Sequence, residues 1–477
     1  MINNVVFNIL YQILNIIIPL ITAPYISRVM TPFEVGVYSY TNSMCGVVAV
    51  FMLLGIANYG SRTVAIAANK GKERLQKTFS ELYIMQAFSS LVGILLYFVL
   101  IVTSATEYRL GMLAQLFYLL SVMLDISWYF VGTGQIKTTV IRGSLIKLLQ
   151  TIAIFCYVKA PEDLIIYILI MSVGTLLGNA VLWVFVRKDI RFAKVSVKDV
   201  SVHIKPNLVL FLPLLASSIF VYMDKIMLGI IASTADLGLY EYAEKIVRVP
   251  LTVISAIGAV MMPYISGLLS RNEHTVCKKY MNISMRYLSL LASAMFFGML
   301  AISPELADVY LGEEFLACGQ LIQVMSCIVL FSTFANIIRT QWLIPREEDR
   351  SYAGAIVAGA VTNLVLNAVL IPLLGSTGAA IGTIGAEFAV FVCHVISVRK
   401  QMAVFSFFAQ WGYALLVGAI MFLCVEVATA FVKTSLLKLI VGVLVGILFF
   451  AIAMLIFVRK DRIEANLEKG GESDDSQ

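Results

Sequence analysis

Charge is what this chain lacks. Only 13% of its 477 residues are Asp, Glu, Lys or Arg, while 60% are hydrophobic. A soluble domain carries about 25% charge, so most of this chain has no water to face. It reads as a polytopic membrane protein. Histidine is scarce too: His203, His274 and His394 are the only three and lie far apart. The seven cysteines form no CxxC pair and fall mostly inside apolar runs, where they read as small apolar fillers. Neither HExxH nor GxSxG occurs, which removes the signatures of two hydrolase classes. The stretch Gly55-Ile56-Ala57-Asn58-Tyr59-Gly60-Ser61-Arg62 has the two glycines of a P-loop. Ser-Arg stands where Lys-Ser/Thr is required, however, and an apolar span rather than a strand precedes it. The expectation is a protein that is not an enzyme, with no cofactor, no metal and no nucleic-acid partner.

What the chain has is long apolar runs. A spanning helix needs about 20 apolar residues. Fourteen such segments stand out, at 5–26, 35–57, 79–103, 110–131, 141–158, 164–186, 208–231, 241–268, 280–302, 317–338, 351–374, 378–397, 411–432 and 438–458. Their length and unbroken apolarity argue for helices over a barrel, whose strands are shorter and alternate. The predicted fold is all-α, with about 14 transmembrane helices. With the N-terminus inside, the cytoplasmic connections hold 25 of the 35 Lys and Arg and the external ones hold five. That bias predicts both termini in the cytoplasm and accounts for the net charge of +6. The external connections are short; the longest is expected at 303–316. The 187–207 connection is the natural linker between halves. The expected organisation is a six-helix bundle over 1–190, a linker over 191–207, a second six-helix bundle over 208–400, an appended hairpin over 401–460 and a disordered tail over 461–477. Gly378 and Gly382, and likewise Gly442 and Gly446, are four apart and predict tight helix packing within the chain.

One string occurs twice, 202 positions apart. Glu34-Val35-Gly36-Val37-Tyr38-Ser39-Tyr40 is echoed by Asp236-Leu237-Gly238-Leu239-Tyr240-Glu241-Tyr242. Each copy follows one apolar segment and opens the next. The two halves therefore read as copies of one bundle. Repeated bundles in a transporter flank a site at their interface, and rocking one against the other gives alternating access.

Polar groups within the spans are the candidate site, because a charge at the bilayer centre costs about 2.5–3.5 kcal/mol on insertion scales. In the first span Asn8, Gln12 and Asn15 share one face, and Pro19 and Pro24 follow. That stripe is a cavity wall or a hydrogen-bonded seam. Asp224 and Lys225 lie in span seven, and Glu241, Glu244, Lys245 and Arg248 in span eight. Arg28 and Glu34 occupy the related region of the first half. Arg28, Lys225, Lys245 and Arg248 together suit a multivalent anion such as a diphosphate. The alternative is internal ion pairs with Glu34, Asp224, Glu241 and Glu244. Asp125 and Glu387 are isolated acids that fit ion coupling or a structural bond.

The segment Leu10–Ala68 carries a resemblance. Tyr11-Gln12-Ile13-Leu14-Asn15, Pro19-Leu20-Ile21-Thr22-Ala23-Pro24-Tyr25-Ile26-Ser27-Arg28-Val29, Gly36-Val37-Tyr38-Ser39-Tyr40-Thr41-Asn42-Ser43 and Gly55–Arg62 resemble Wzx-type polysaccharide flippases. These belong to the superfamily that also holds multidrug exporters and lipid II flippases. Met30-Thr31-Pro32 departs from the Leu-Gly-Pro common there. The resemblance implies transport of an undecaprenyl-diphosphate-linked oligosaccharide repeat unit from the cytoplasmic to the outer leaflet of a bacterial cytoplasmic membrane. Its product feeds capsule, O-antigen or exopolysaccharide assembly, with membrane lipids, a polysaccharide polymerase and assembly proteins as partners. It also implies that Arg28 and Arg248 sit where basic residues matter in lipid II flippases. A cation-coupled small-molecule exporter and a lipid II flippase are the rival readings. A glycan polymerase or ligase fits less well, for want of a large external loop.

Overall fold

The computed structural model describes the backbone of residues 2–474 except 188 and 403, and the side chains of 14 and 17–459 except 188, 212, 213, 216, 220 and 403. Sixteen α-helices follow one another among the described residues. They are α1 (Ile2–Val29), α2 (Pro32–Leu53), α3 (Ile56–Ala68), α4 (Lys72–Thr103), α5 (Thr106–Met123), α6 (Ser127–Gly132), α7 (Ile136–Tyr157) and α8 (Leu164–Val186). Then come α9 (Val197–Ile231), α10 (Thr234–Ser270), α11 (His274–Leu306), α12 (Cys318–Met325), α13 (Cys327–Ile338), α14 (Asp349–Val398), α15 (Val404–Ala430) and α16 (Ser435–Asp474). Among the described residues, 11 helices are long and apolar enough to cross a membrane. One of them, α14, is bent into two arms by Gly375. With α1 and α9, these account for the fourteen predicted spans. The protein is an all-helical, multi-pass membrane protein.

Local chemistry sets the helix ends. Thr31 caps α2: its hydroxyl accepts from Phe33 N, Pro32 takes the first helical position, and Glu34 reaches back to Thr31 N at 3.0 Å. This is a capping box, so Glu34 serves the backbone. Leu54 (φ 47°) and Gly55 (φ 86°) break the line between α2 and α3; the P-loop-like string therefore lies in α3. Ser196 and Asp199 form a second capping box at the start of α9, which begins eleven residues before the apolar run. Gly375 has φ 55° and ψ −130°, a region open only to glycine.

Three stretches differ from the hydropathy reading. The expected external loop 303–316 is mostly helical, through a wide-turned segment Ala307–Leu311 and a 3-10 turn Glu313–Phe315. The connection expected after 338 begins as another wide-turned segment, Arg339–Leu343, directly continuing α13. The backbone of α16 remains helical to Asp474, past the predicted end at 458. In each case polar side chains lower the hydropathy while the backbone goes on bonding to itself.

Contacts divide the chain into two compact units. The first is Met1–Tyr242 with Ala360–Gly382, and the second is Ala243–Gly359 with Thr383–Gln477. In the first unit the repeated strings face each other. A Cβ added at Gly36 would lie 2.8 Å from Thr234 C, and one at Gly238 would lie 2.7 Å from Pro32 C. Pro32 and Thr234 are 202 apart, as are Gly36 and Gly238, so the contact is reciprocal. Ser39 and Glu241, also 202 apart, hydrogen-bond at 2.7 Å. A pseudo-two-fold axis runs through this crossing. At the other end of the unit, Tyr59 OH lies 2.8 Å from His203 Nδ1, and His203 Nε2 lies 2.9 Å from Glu81 Oε2. Glu81 and His203 are buried, and this chain of bonds ties α3, α4 and α9 together. Gly378 and Gly382 pack against Leu370 and Asn367 on the facing arm of α14, as their spacing predicts.

The second unit is built around aromatic side chains. Phe334, Trp342, Phe391 and Phe407 are buried together with Met281, Met285 and Val404. Phe334 meets Phe391 edge-on at 5.0 Å and stacks near Phe408 at 5.8 Å. Of the predicted pair, Gly442 packs tightly on Ile302 and Val425, whereas a Cβ at Gly446 would meet only Val425, at 4.0 Å. Ser293 Oγ donates to Ala414 O at 2.7 Å.

Candidate functional site

In the first unit, the adjacent residues Asp224 and Lys225 of α9 enter two different networks. Asp224 is 3% exposed. It accepts from Tyr240 OH at 2.7 Å and from Asn367 Nδ2 at 2.5 Å, and the same Asn367 nitrogen lies 3.2 Å from Asn363 Oδ1. Lys225 Nζ lies 2.6 Å from Glu241 Oε2, which also takes the Ser39 hydroxyl. Lys225 thus neutralises the carboxylate on the pseudo-symmetry axis. Helix geometry explains the divergence, since neighbouring residues point about 100° apart. Asn363 and Asn367 were missed by the sequence reading. Their i, i+4 spacing within an apolar run was the available signal.

Arg28 is exposed near the end of α1, where its Nη1 donates to Pro24 O at 2.6 Å. An arginine in the last turn of a helix can bond a carbonyl there with its side chain. Asn8, Gln12 and Asn15 have side chains outside the described residues. Asp125 is partly buried. Its Oδ1 accepts from Ser127 N at 2.9 Å and from Ser127 Oγ at 2.5 Å, so it caps α6.

The second unit carries the polar face. Along α10, Lys245, Arg248, Thr252, Ser255 and Ala259 recur at helical spacing, and Arg248, Thr252, Ser255 and Ala259 are exposed. Arg248 pairs with Glu244 one turn earlier: Nε lies 2.8 Å from Glu244 Oε1 and Nη2 meets the same oxygen. The Glu244 side chain is 7% exposed while that of Arg248 is 47% exposed. The buried acid anchors the half-exposed guanidinium. Glu387, in the second arm of α14, accepts from Ser332 Oγ at 2.5 Å. Ser332, Asn336 and Arg339 follow each other on one face of α13 and its continuation, and Asn336 Nδ2 lies 3.5 Å from Ser255 Oγ. Arg339 and Ser332 were also missed. Arg339 sits where the hydropathy falls, so it reads as loop. Ser332 is a plain serine until its partner, 55 residues on, is known.

The two units thus share out the sequence-predicted residues. Arg28, Asp125, Asp224 and Lys225 belong to the first unit, and Glu244, Lys245, Arg248 and Glu387 to the second. Two of the internal ion pairs weighed from the sequence are present, Lys225 with Glu241 and Arg248 with Glu244. Among the described residues, no three His, Cys, Asp or Glu side chains converge as a metal site. The chemistry on offer is electrostatic: the guanidinium groups of Arg248 on α10 and of Arg339 after α13, beside hydroxyl and amide groups.

Comparison with known proteins bears on the family and the fold. A curated protein of Shigella dysenteriae, described as "Putative O-antigen transporter", is 24% identical over 393 residues, 81% of this chain and 96% of the relative. One of Escherichia coli K12 with the same description is 21% identical over 408 residues, 83% of this chain and 96% of the relative. Among solved structures, a lipid II flippase, MurJ, in an inward closed conformation superposes with a TM-score of 0.76. It is 16% identical and covers 96% of this chain and 99% of its own. At that identity the likeness establishes the fold. The family model for polysaccharide biosynthesis proteins matches residues 1–269, more than half of the chain. The chain is a member of the polysaccharide biosynthesis protein family.

Proposed function

We propose that this protein is a flippase. It moves an undecaprenyl-diphosphate-linked oligosaccharide from the cytoplasmic to the outer leaflet by alternating access, and the diphosphate is received on the cationic face of α10. The observation that carries the reading is Arg248. Its guanidinium is oriented by Glu244 and half exposed, on a helix that is otherwise apolar enough to span a membrane. Planar guanidinium groups match phosphate oxygens in pairs. Family membership and the description of the two relatives as O-antigen transporters support the same substrate class. A sugar headgroup cannot cross hydrocarbon unaided, so a protein of this family must offer it a polar face. Lys245, Arg28 and Lys225 remain candidate contacts, with Asn8, Gln12 and Asn15 on α1 as polar lining. Asp125 and Glu387 remain candidate coupling acids.

The positive-inside bias supports a cytoplasmic-membrane location with both termini inside. The reciprocal contact of the repeated strings supports the organisation into two related six-helix bundles, 1–190 and 208–400. Polymerase and assembly proteins would take over the product outside. The test is to delete the gene and locate the lipid-linked repeat unit. Accumulation in the inner leaflet, reversed by wild type but not by Arg248→Ala, is expected. Unchanged surface glycan in the deletion strain would contradict the reading.

A further inference from the structure

Arg339 falls just past the apolar segment that ends at 338, and it is the first residue of the wide-turned segment that continues α13. Wide turns of this kind are rare and frequent at functional sites. Arg339 is partly buried, and its Nε has no hydrogen-bond partner among the described residues. A buried guanidinium N–H without an acceptor is unfavourable, so the position calls for an anion or polar ligand.

The neighbouring helices show where that ligand would lie. Ser332, Asn336 and Arg339 are i, i+4 and i+7 on α13 and its continuation. Asn336 meets Ser255 of α10. Gly258, one turn on, lets the helices close: a Cβ there would lie 2.5 Å from Asn336 Oδ1 and 3.1 Å from Thr340 Oγ1. The contacts advance in the same sense on both helices, so α10 and α13 run in parallel here. Arg248 lies two turns before the Ser255–Asn336 contact and Arg339 nearly one turn beyond it. At 1.5 Å rise per residue, the two arginines are roughly 15 Å apart along the helix axes. Glu387 is held by Ser332 at a level between them, within electrostatic reach of both guanidinium groups. Arg248 already pairs with Glu244, so Glu387 is the carboxylate left to answer Arg339, and a diphosphate, with about two charges, can displace it.

We propose that Arg339 is a second anion station for the diphosphate, in line with Arg248, and that Glu387 between them is the carboxylate that competes with the diphosphate for both. This rests on the flippase reading above and adds a path to it. The head group is passed along one wall of the second unit, from one guanidinium to the next. Together with Glu244, which pairs with Arg248, Glu387 holds the face neutral when no substrate is bound and speeds release by competing for the arginines.

The test uses purified full-length protein in lipid nanodiscs, with undecaprenyl diphosphate, undecaprenol and inorganic pyrophosphate as probes and native mass spectrometry as readout. In an Arg248→Gln background, Arg339→Gln lowers affinity for undecaprenyl diphosphate by a further factor of about ten, the scale of one charge-assisted hydrogen bond. Arg339→Lys, which keeps the charge and loses the fork, falls between, and guards against a folding defect in the glutamine variant. Glu387→Gln raises affinity severalfold. If Arg339→Gln adds nothing to Arg248→Gln, or Glu387→Gln leaves affinity unchanged, the proposal fails while the flippase reading stands. If inorganic pyrophosphate binds as tightly as the lipid, the stations serve a free anion and the proposal is overturned. If wild type does not prefer undecaprenyl diphosphate over undecaprenol, the flippase reading itself falls.

Discussion

Substituting alanine at Gly36 tests the repeat contact on which the first unit is organised. The added Cβ would meet backbone, Thr234 C at 2.8 Å and the attached carbonyl oxygen closer still. Backbone cannot rotate away as a side chain can. Relief requires α2 and the start of α10 to separate by about 1 Å, which loosens the Ser39–Glu241 bond beside them. Overpacking costs about 1–3 kcal/mol where neighbours can yield, so Gly36→Ala should reach about 3 kcal/mol. Gly238→Ala should cost the same, because it meets Pro32 in the reciprocal arrangement. The double variant should cost clearly less than the sum, by about 1 kcal/mol or more, since one separation relieves both clashes. Gly267 is the control: a Cβ there meets nothing within 4 Å, and alanine favours the helix by up to about 1 kcal/mol. The assay is equilibrium unfolding in mixed micelles at increasing denaturing detergent, with all four variants measured in parallel. Wild-type stability for Gly36→Ala, or strict additivity of the pair, would refute the reciprocal contact.

Gly375→Ala should destabilise by about 1–3 kcal/mol in the same assay, because its φ of 55° and ψ of −130° are closed to alanine and its Cβ would press on the Asp236 carboxylate at 3.2 Å; an unchanged midpoint would contradict the bend. Glu81→Ala leaves the buried His203 without its acid and should cost about 1–3 kcal/mol, with Tyr59→Phe milder; equal, negligible costs would show that this bond chain does not hold α9. Hydrogen bonds from the Ser196 backbone and hydroxyl, and from Lys77, hold the Asp199 carboxyl below its ordinary value of 3.8. Its contribution to capping α9 is therefore complete above that value and lost as pH falls through and below it. Protease cleavage in the 187–196 segment should rise on acidification in wild type, whereas Asp199→Asn should be cleaved more at neutral pH and lack the acid limb.

The spans were legible because hydrocarbon imposes one rule over some 20 residues at a time, and α2, α4, α8 and α15 follow it closely. The repeat was legible as a string, and its meaning as a contact is visible only in three dimensions, where Gly36 and Gly238 exchange neighbours. The ends of α9 and α13 were not legible. Lys198, Lys205 and Arg339 lower the local hydropathy, while helix continuation there depends on the Ser196 cap and on neighbouring helices. The candidate site was half legible. Arg248 and Glu244 are i, i+4 and announce each other. The partners of Glu387 and Asp224, Ser332 and Asn367, lie 55 and 143 positions away, and composition gives no hint of them. Lys225 reads as a cavity cation and stands paired with Glu241 beside Ser39. The hydrophobic pattern positions helices, and it is silent on which polar atoms then meet.

The central claim is tested most directly by reconstituting the purified protein into proteoliposomes with a fluorescent undecaprenyl-diphosphate-linked oligosaccharide and following its accessibility to an external quencher. Wild type should equilibrate the lipid across the bilayer, and Arg248→Ala should be slower by at least about tenfold. An inside-negative potential should draw the label outward, since moving each of about two negative charges gains roughly 2.3 kcal/mol per 100 mV. Movement no faster than in protein-free vesicles, or movement equally fast in Arg248→Ala and indifferent to potential, would contradict the account.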